Sequence, residues 1–310
     1  MQEISCVLCE ASNSEAVAHD NGFTGRQCSN CGLIFVSPRP SREEMAKVYE
    51  EGEAYLSPES FVRGPESLSG LARAREDVKR VRRHVTGGSL LEIGPGRGTF
   101  LVAARRAGFD VFGVELNPVQ AEFIRKQHGI SCVESLDAAS TLNGGQFDVI
   151  YHRDVLSHFY DPHEEFARLR DLLKPGGYQI FETGNLGDVD HRYLKLVKSF
   201  QYPDHLFFYG EKSLKRLFDQ TGFDHVHTYR YSILPERLVR SALVRLKRGS
   251  TAPPSSPLPS TSSPTNGQGP AGQIARQGLD MFYHGLHLTL GRIPVKPDVP
   301  QTLIVVARKK

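Results

Sequence analysis

The sequence carries little excess of either charge. Its 38 Lys and Arg side chains against 35 Asp and Glu leave a net charge of +3 over 310 residues. A protein whose main affinity comes from neutralising phosphates along a nucleic acid carries a larger basic excess. The charge balance therefore disfavours a nucleic-acid-binding protein.

Long apolar runs are also missing. No uninterrupted apolar stretch approaches the roughly 18 residues that a membrane-spanning helix needs. The first ten residues, MQEISCVLCE, lack the basic segment followed by an apolar one that marks a secretory leader. We therefore expect a protein of the reducing cytoplasm, with a folded core because 39% of the residues are hydrophobic.

Cysteines are few, but four of the five form two close pairs. Cys6 and Cys9 are separated by two residues, as are Cys28 and Cys31. In a reducing compartment, two such pairs about 15–20 residues apart predict a tetrahedral zinc site, because each tight turn presents two thiolates; two disulfides would instead require a secreted protein. Four cysteine ligands leave no coordination position for water, so we expect a structural ion. Cys132 lies among apolar residues and is expected in the core.

The segment around these cysteines is acidic. Residues 1–35 contain Glu3, Glu10, Glu15 and Asp20 against one arginine. An acidic surface repels phosphate, which disfavours a nucleic-acid interface here. We interpret residues 1–40 as a zinc ribbon that serves as a folding staple or as a cap on the substrate side, docked through the apolar residues 33–36.

Helical patterns follow the ribbon. Ser41 and Glu44 form a capping box that opens a helix near 42–50, and an amphipathic helix is predicted over about 68–85. We expect the basic residues of the second helix to form a solvated face, because acidic residues interrupt them. They are Arg73, Arg75, Lys79, Arg80, Arg82 and Arg83.

Strand and helix patterns alternate from residue 89 to about 231, with short connections. This alternation predicts an α/β fold with a doubly wound, Rossmann-like, mostly parallel seven-stranded sheet. Strands are expected at 89–93, 110–114, 131–134, 147–151, 178–182, 225–231 and 302–307. Helices are expected near 98–107, 118–128, 162–173 and 212–221. The last strand is continuously apolar, as expected of a strand inserted between two neighbours.

A low-complexity stretch interrupts this pattern before the last strand. Residues 249–272 are nearly all Gly, Ser, Thr, Pro and Ala and are expected to be disordered. They lie in an insertion, 232–300, whose first helix, 235–248, carries five basic residues and can lie on an anionic membrane surface or pack over the sheet edge. The expected domains are the ribbon 1–40, a helical cap and lead-in helix 41–88, and the α/β domain 89–310.

A glycine-rich turn follows the first strand of the α/β domain. Gly94, Gly96 and Gly98 lie at the carboxyl end of that strand, where open α/β sheets bind ligands. The dinucleotide-binding motif requires glycine at position 99, where this sequence has threonine, and the lysine of a phosphate-binding P-loop is missing. Both phosphate-binding motifs are therefore disfavoured. What remains is a nucleoside-like ligand without a pyrophosphate. Glu92 at the strand end would favour a positively charged group on that ligand.

A second acid ends the next strand. Glu115 lies about twenty residues after the glycines, where a carboxylate can accept both hydroxyls of a ribose. Together with the glycine turn it indicates an adenosine ligand.

These motifs resemble the class I S-adenosylmethionine-dependent methyltransferases. The resemblance rests on residues 91–98 (LEIGPGRG), 113–115 (GVE), 147–150 (FDVI) with 154–158 (DVLSH), and 172–177 (LLKPGG). It covers about 75–231 and the last strand, and the four-cysteine ribbon is similar to a subgroup tied to surface polysaccharide, nucleotide-sugar or natural-product pathways. The resemblance implies S-adenosylmethionine as cofactor and these binding residues: Glu92, Gly94, Pro95, Gly96, Gly98, Glu115, Leu116, Ser135 and Leu136.

The acceptor side is expected to offer a base only if the methylated atom carries a proton. His152 and His158, at and just after the fourth strand, and His205 in the long loop after the fifth are the candidate catalytic residues. The loop 183–211 is long for such a sheet and could close over the cleft as a lid. We expect a small-molecule or carbohydrate-like acceptor; the alternatives are an RNA methyltransferase and a non-catalytic adaptor that acts through the ribbon.

Overall fold

The computed structural model describes residues 1–51, 66–195, 197, 199–233, 239 and 270–310. Most of the predicted disordered segment 249–272, and the predicted helix 235–248 except Val239, lie outside the described residues. Residues 270–272 were assigned to the disordered segment, but they form the first turn of a helix, so that boundary is wrong. No helix among the described residues is both long and apolar enough to cross a bilayer.

The predicted N-terminal ribbon, residues 1–40, contributes three strands to a small antiparallel sheet. Its strands are β1 (Ser14–Asp20), β2 (Phe23–Cys28), β3 (Ile34–Val36) and, from much later in the chain, β9 (Phe207–Phe208). The order is β1-β2-β3-β9, and Ile34 and Phe35 pair with Phe208 and Phe207. The ribbon is therefore joined to the rest of the molecule by backbone hydrogen bonds.

The large sheet has seven strands. They are β4 (Gly88–Ile93), β5 (Phe109–Val114), β6 (Cys132–Val133), β7 (Phe147–Arg153), β8 (Leu173–Gly184), β10 (Phe223–Ser232) and β11 (Gln301–Lys309). Their order is β10-β11-β8-β7-β4-β5-β6. Strands β4 to β8 pair in parallel, and β11 is antiparallel to both neighbours. The predicted fold class is confirmed, including the insertion of the last strand between two others.

Helices cover both faces of the large sheet. They are α1 (Arg42–Glu51), α2 (Leu68–Arg82), α3 (Thr99–Arg106), α4 (Pro118–Phe123), α5 (Pro162–Asp171), α6 (His191–Leu194), α7 (Glu211–Thr221) and α8 (Pro270–Thr289). A π-helical turn, Ile124–His128, extends α4. Short 3₁₀ turns lie at Asp137–Thr141, Asn143–Gly145, Leu156–His158, Leu186–Asp188 and Leu290–Arg292.

Side-chain caps define where two of these helices begin. The Asn117 side chain accepts hydrogen bonds from the backbone N–H groups at the start of α4, and the Asp161 side chain does the same for α5. In each case proline occupies the first helical position, where its missing N–H costs nothing.

The ribbon shares one apolar core with the large sheet. Residues 33–36 are at most 1% exposed, and Leu33, Phe35 and Val36 belong to the same buried cluster as Phe147 and Phe181 of the sheet. Burying apolar surface on both sides of such a contact stabilises both partners. The predicted docking of the ribbon through residues 33–36 is confirmed.

The basic face of α2 is not simply solvated. Arg80 is 5% exposed and lies 2.6 Å from an Asp77 carboxylate oxygen, while its guanidinium also donates to the Tyr231 hydroxyl. Arg73 pairs with Glu182 at the end of β8. The expectation of a solvated basic face is therefore wrong for these two arginines, because buried carboxylates on and beneath the helix draw them inward.

Candidate active site

The glycine turn after β4 adopts a backbone that favours glycine. Gly94, Gly96 and Gly98 have φ of 68°, 52° and 75°. A Cβ added to Gly94 would lie 3.0 Å from a Val155 methyl, and one added to Gly98 would lie 3.1 Å from the His128 ring. Glycine is thus favoured at both positions by its positive φ, and a Cβ there would also press on the neighbouring side chain. The turn leads directly into α3, at the carboxyl edge of the sheet.

Glu115 ends β5 beside this turn, where the sequence places it. Its side chain accepts a 3.0 Å hydrogen bond from the Gly96 backbone N–H through one oxygen and a 3.0 Å bond from the Asn117 N–H through the other. Burial raises the pKa of the carboxyl above its usual range. A carboxylate has about four acceptor positions, so two stay available to a ligand.

The predicted neighbours of Glu115 lie at the same edge. Leu116 is 60% exposed. Leu136 is half-buried, and the Ser135 hydroxyl accepts a 3.2 Å hydrogen bond from the Ala138 N–H. The sequence predicts that Glu92, residues 94–98, Glu115, Leu116, Ser135 and Leu136 bind the cofactor, and we call this predicted set the cofactor pocket.

Glu92 is the least satisfied polar group of this pocket. It is 5% exposed, and one of its carboxylate oxygens has no hydrogen-bond partner within the described part of the chain. Burial raises its pKa to about 8, although Arg153 opposes that shift. An unsatisfied buried oxygen calls for an explanation, and a bound ligand is one.

A buried ionic network lies behind Glu92. Asp77 of α2 accepts a 3.0 Å hydrogen bond from the Tyr151 hydroxyl and pairs with Arg153, whose guanidinium also lies 3.8 Å from a Glu182 oxygen. The sequence patterns described above do not predict this network. One signal could have found it: Asp77 occupies the buried stripe of α2, three residues after Ala74 and four before Val81.

His152 does not fit the role of a candidate base. It is 0% exposed, stacks on the Phe181 ring at a centroid distance of 4.9 Å and hydrogen-bonds the Gln179 amide at 3.1 Å. Burial lowers its pKa to about 3, so the imidazole stays neutral in the core. The expectation that His152 faces the acceptor is wrong, because its position in β7 points it between sheet and helix.

The other two predicted histidines meet at one place. His158 Nδ1 lies 3.1 Å from an Asp204 carboxylate oxygen, and the rings of His158 and His205 are 4.5 Å apart and nearly perpendicular. Burial, together with the His158 ring, lowers the pKa of His205 to about 4. We call His158, Asp204 and His205 the histidine cluster. The sequence analysis missed Asp204, although it is the immediate neighbour of His205.

Backbone hydrogen bonds anchor the histidine cluster from two sides. The Leu206 N–H donates to the Ser157 carbonyl at 2.8 Å, and the Val36 N–H of the ribbon donates to the Leu206 carbonyl at 3.1 Å. Strand β9 begins at the next residue and pairs with β3. The residues after His205 thus form a strand of the small sheet, so the part of 183–211 that carries His205 is anchored to the ribbon.

The four ribbon cysteines converge as predicted. Their sulfur atoms all lie within 4.8 Å of one another, with Cys6 and Cys31 at 3.5 Å and Cys9 and Cys28 at 3.4 Å. A zinc ion with bonds of about 2.3 Å to four thiolates sets its sulfur atoms about 3.8 Å apart, so the arrangement fits a tetrahedral ion. Cys132 is 4% exposed, away from this group, as predicted.

Comparison with known proteins gives a family match over half of the chain. Residues 68–228 match the family described as a methyltransferase domain. This stretch contains the cofactor pocket, His158, Asp204 and His205, but not the ribbon.

Two curated relatives are ubiquinone biosynthesis O-methyltransferases. The protein of Bordetella avium is 27% identical over 174 residues, which are 54% of this chain and 65% of the relative. The protein of Ruegeria pomeroyi is 35% identical over 108 residues, 33% of this chain and 44% of the relative. The chain thus spans about half the length of these relatives.

Solved structures share the fold at low sequence identity. Phosphoethanolamine N-methyltransferase 2 of Haemonchus contortus, in complex with S-adenosylmethionine, superposes with a TM-score of 0.51 at 19% identity and covers 89% of this chain and 61% of its own. The [4+2]-cyclase SpnF gives 0.50 at 15% identity, covering 87% and 97%. Since one of the two is described as a cyclase, the fold alone does not fix the reaction.

Proposed function

Because the chain belongs to the methyltransferase domain family, we propose that it transfers a methyl group from S-adenosylmethionine to a small-molecule acceptor. The main support is Glu92, a buried carboxylate with an unpartnered oxygen beside the glycine turn. A ligand with an ammonium group would satisfy that oxygen.

The cofactor pocket suits the remaining parts of S-adenosylmethionine. Glu115 keeps acceptor positions free for two ribose hydroxyls. Leu116 and Leu136 offer apolar surface for the adenine ring beside Ser135, and the backbone of 94–98 allows close approach of the methionine portion. We assign these residues to cofactor binding on that basis.

Bound S-adenosylmethionine supplies an electrophilic methyl carbon on a sulfonium centre. The protein's task in such a displacement is to hold the acceptor atom in line with that carbon and to exclude misaligned poses. If the acceptor atom is a hydroxyl oxygen, its proton must also leave, and the histidine cluster is the proposed place for it. Asp204 orients the His158 ring through Nδ1, which directs Nε2 away from it.

We place the acceptor among small molecules with hydroxyl groups. The curated relatives carry the name O-methyltransferase, which supports a small-molecule oxygen acceptor. A carbohydrate, nucleotide-sugar or natural-product acceptor remains our narrower prediction, as does peripheral membrane contact through residues 235–248, which lie outside the described part except for Val239.

We further propose that Cys6, Cys9, Cys28 and Cys31 hold a structural zinc ion. The arrangement of their sulfur atoms supports this, and three of the four cysteines are at most 2% exposed. In this proposal the ribbon 1–40 braces the acceptor side through β9, the cap 41–88 covers the cofactor side through α2, and 89–310 is the methyltransferase domain.

The test combines binding with transfer. Calorimetry should show saturable binding of S-adenosylmethionine to the purified chain, and methyl-labelled S-adenosylmethionine should label an acceptor in a panel of hydroxylated small molecules and nucleotide sugars. The matched control for binding is Glu122→Gln, a change of an exposed acid on α4. Absence of binding at millimolar cofactor would favour the non-catalytic adaptor, and label found only in RNA would favour the RNA methyltransferase.

A further inference from the structure

The histidine cluster brings three metal-ligand side chains together outside the cysteine site. His158, Asp204 and His205 each offer one ligand atom, and these atoms all lie within 4.8 Å of one another. We propose that these three residues bind a divalent transition-metal ion. The proposed function does not require this ion.

The separations between the ligand atoms are close to those that a bound metal ion would require. Metal bonds of about 2.0–2.2 Å to imidazole nitrogen and carboxylate oxygen set neighbouring ligand atoms roughly 3.0–3.6 Å apart. His158 Nδ1 and the Asp204 oxygen already lie 3.1 Å apart. The His205 ring approaches the His158 ring edge to face at 4.5 Å between centroids, and one of its nitrogens lies within 4.8 Å of both other ligand atoms.

The scaffold holds the ligands from separate segments. His158 lies in the turn Leu156–His158 after β7, whereas Asp204 and His205 precede β9. The Leu206 N–H to Ser157 carbonyl bond joins the two segments directly beside the ligands, and the His205 N–H donates to the Gln201 carbonyl at 3.1 Å. Ligands fixed by backbone on both sides lose little freedom when an ion binds.

The histidine cluster leaves coordination positions free for other ligands, whereas the four cysteines leave none. The side chains of His158 and Asp204 are 28% and 45% exposed, so an ion held by three protein ligands keeps positions for water or substrate oxygen. Two imidazoles and one carboxylate suit Zn²⁺, Fe²⁺, Co²⁺ or Ni²⁺ better than Mg²⁺ or Ca²⁺. This donor set with open positions is typical of an ion that acts on a bound oxygen.

The ion would define the class of acceptor, an inference that rests on the proposed function. With two open positions it would chelate an acceptor whose hydroxyl has a second oxygen next to it, such as a vicinal diol, and would lower the pKa of that hydroxyl. With the ion bound, the imidazoles serve as ligands and the hydroxyl proton passes to solvent water; without the ion it passes to the histidine cluster. The oxygen lone pair forms the O–CH₃ bond while the S–CH₃ bond breaks, with its electron pair staying on sulfur.

The experiment measures metal binding alone, with neither S-adenosylmethionine nor acceptor present. Co²⁺ is titrated, by calorimetry and visible absorption, into the full chain carrying one equivalent of zinc, which the four thiolates take in preference to the histidine cluster. We expect one saturable Co²⁺ site without thiolate-to-cobalt absorption. His158→Ala and His205→Ala should each weaken it by at least about tenfold, since even partners of ligands cost that much. The matched control, His163→Ala, changes a histidine that bonds Gln220 outside the cluster and should leave Co²⁺ affinity unchanged.

Several results would overturn the metal site. The first is that Co²⁺ shows no saturable binding. The second is that it binds only with thiolate-to-cobalt absorption. The third is that the two alanine variants bind Co²⁺ as tightly as the wild type. Because an alanine variant could unfold, the near-isosteric Asp204→Asn is measured too, with its circular dichroism compared with wild type. If it folds and binds Co²⁺ as tightly as wild type, the proposal is wrong. Since the titration involves no methyl transfer, failure of the metal site and failure of the proposed function give separate readouts.

Discussion

The cofactor pocket and the histidine cluster lie at the same edge of the large sheet but are assembled in different ways. The glycine turn, Glu92 and Glu115 come from one stretch of about 25 residues that forms two adjacent strands and the turn between them. The histidine cluster needs a turn after β7, a segment before β9 and the ribbon strand β3, which are far apart in the chain. A local strand–turn–helix unit builds the first, whereas the second depends on tertiary pairing.

This difference predicts separable defects. A substitution that unfolds the ribbon should disturb the histidine cluster, because β3 pairs with β9. The cofactor pocket should stay folded, because β4 and β5 support it. Changes inside the pocket should alter cofactor affinity without altering the cluster. The following experiments would confirm or contradict that separation.

Loss of the cysteine site should have the largest effect. Cys28→Ser should abolish tight zinc binding, of which we expect about one ion per chain, and lower the free energy of unfolding by about 4 kcal/mol or more, as is usual when a structural metal is lost. Metal analysis and thermal melting measure both. Turnover should fall more than cofactor affinity in the protein that stays folded. Unchanged zinc content and melting temperature would show that the site is misassigned.

His205→Ala tests the acceptor side directly. Turnover should fall by about 10²–10⁴-fold, the contribution of a group that handles the acceptor proton, while the Kd for S-adenosylmethionine changes little. Steady-state kinetics with an identified acceptor and calorimetry with the cofactor give the two values. A variant that retains turnover within about threefold of wild type would remove His205 from the mechanism, since that lies far below the expected range.

Glu115→Ala tests the cofactor pocket while leaving the ribbon and the histidine cluster unchanged. Binding of S-adenosylmethionine should weaken by about 1.5–3 kcal/mol, the scale for hydrogen bonds to a charged acceptor. Calorimetry checks this, with Glu122→Gln as the control on the exposed face of α4. The zinc content and the melting of the ribbon should stay as in wild type; a coupled loss of zinc would contradict the separation of the two regions.

The smallest effect is the pH dependence of cofactor affinity. Because burial raises the pKa of Glu92 to about 8 in the free protein, the carboxyl must lose a proton before it can pair with an ammonium group. Affinity should therefore rise by about fivefold from pH 7 to pH 8. Above about pH 8 it should fall as the ligand's own amino group deprotonates. Calorimetry over this range measures it, and Glu92→Gln should lack the rising limb.

Residue type and spacing predicted much of the site. The glycines, Glu92, Glu115 and the cysteine pairs lie where local turns and strand ends put them, because each depends on neighbours within a few residues. The sequence singles out His158 and His205 as candidate bases. It does not single out Asp204, because the role of that carboxylate comes from its contact with His158, 46 residues earlier in the chain. His152 was misread because alternation along β7 does not tell the acceptor side from the core.

The sequence by itself determined the α/β class, the succession of strands and helices along the chain and the four cysteines that converge. It also predicts the residues of the cofactor pocket. All of these follow from periodicity, turn chemistry and short spacings. Only the tertiary structure decided that β9 completes the ribbon sheet, that Arg73 and Arg80 turn inward to buried carboxylates, and that three ligand side chains meet outside the cysteine site. The physical reason is that hydrogen bonding between distant strands and the pairing of buried charges depend on which segments pack together, and no local pattern records that choice.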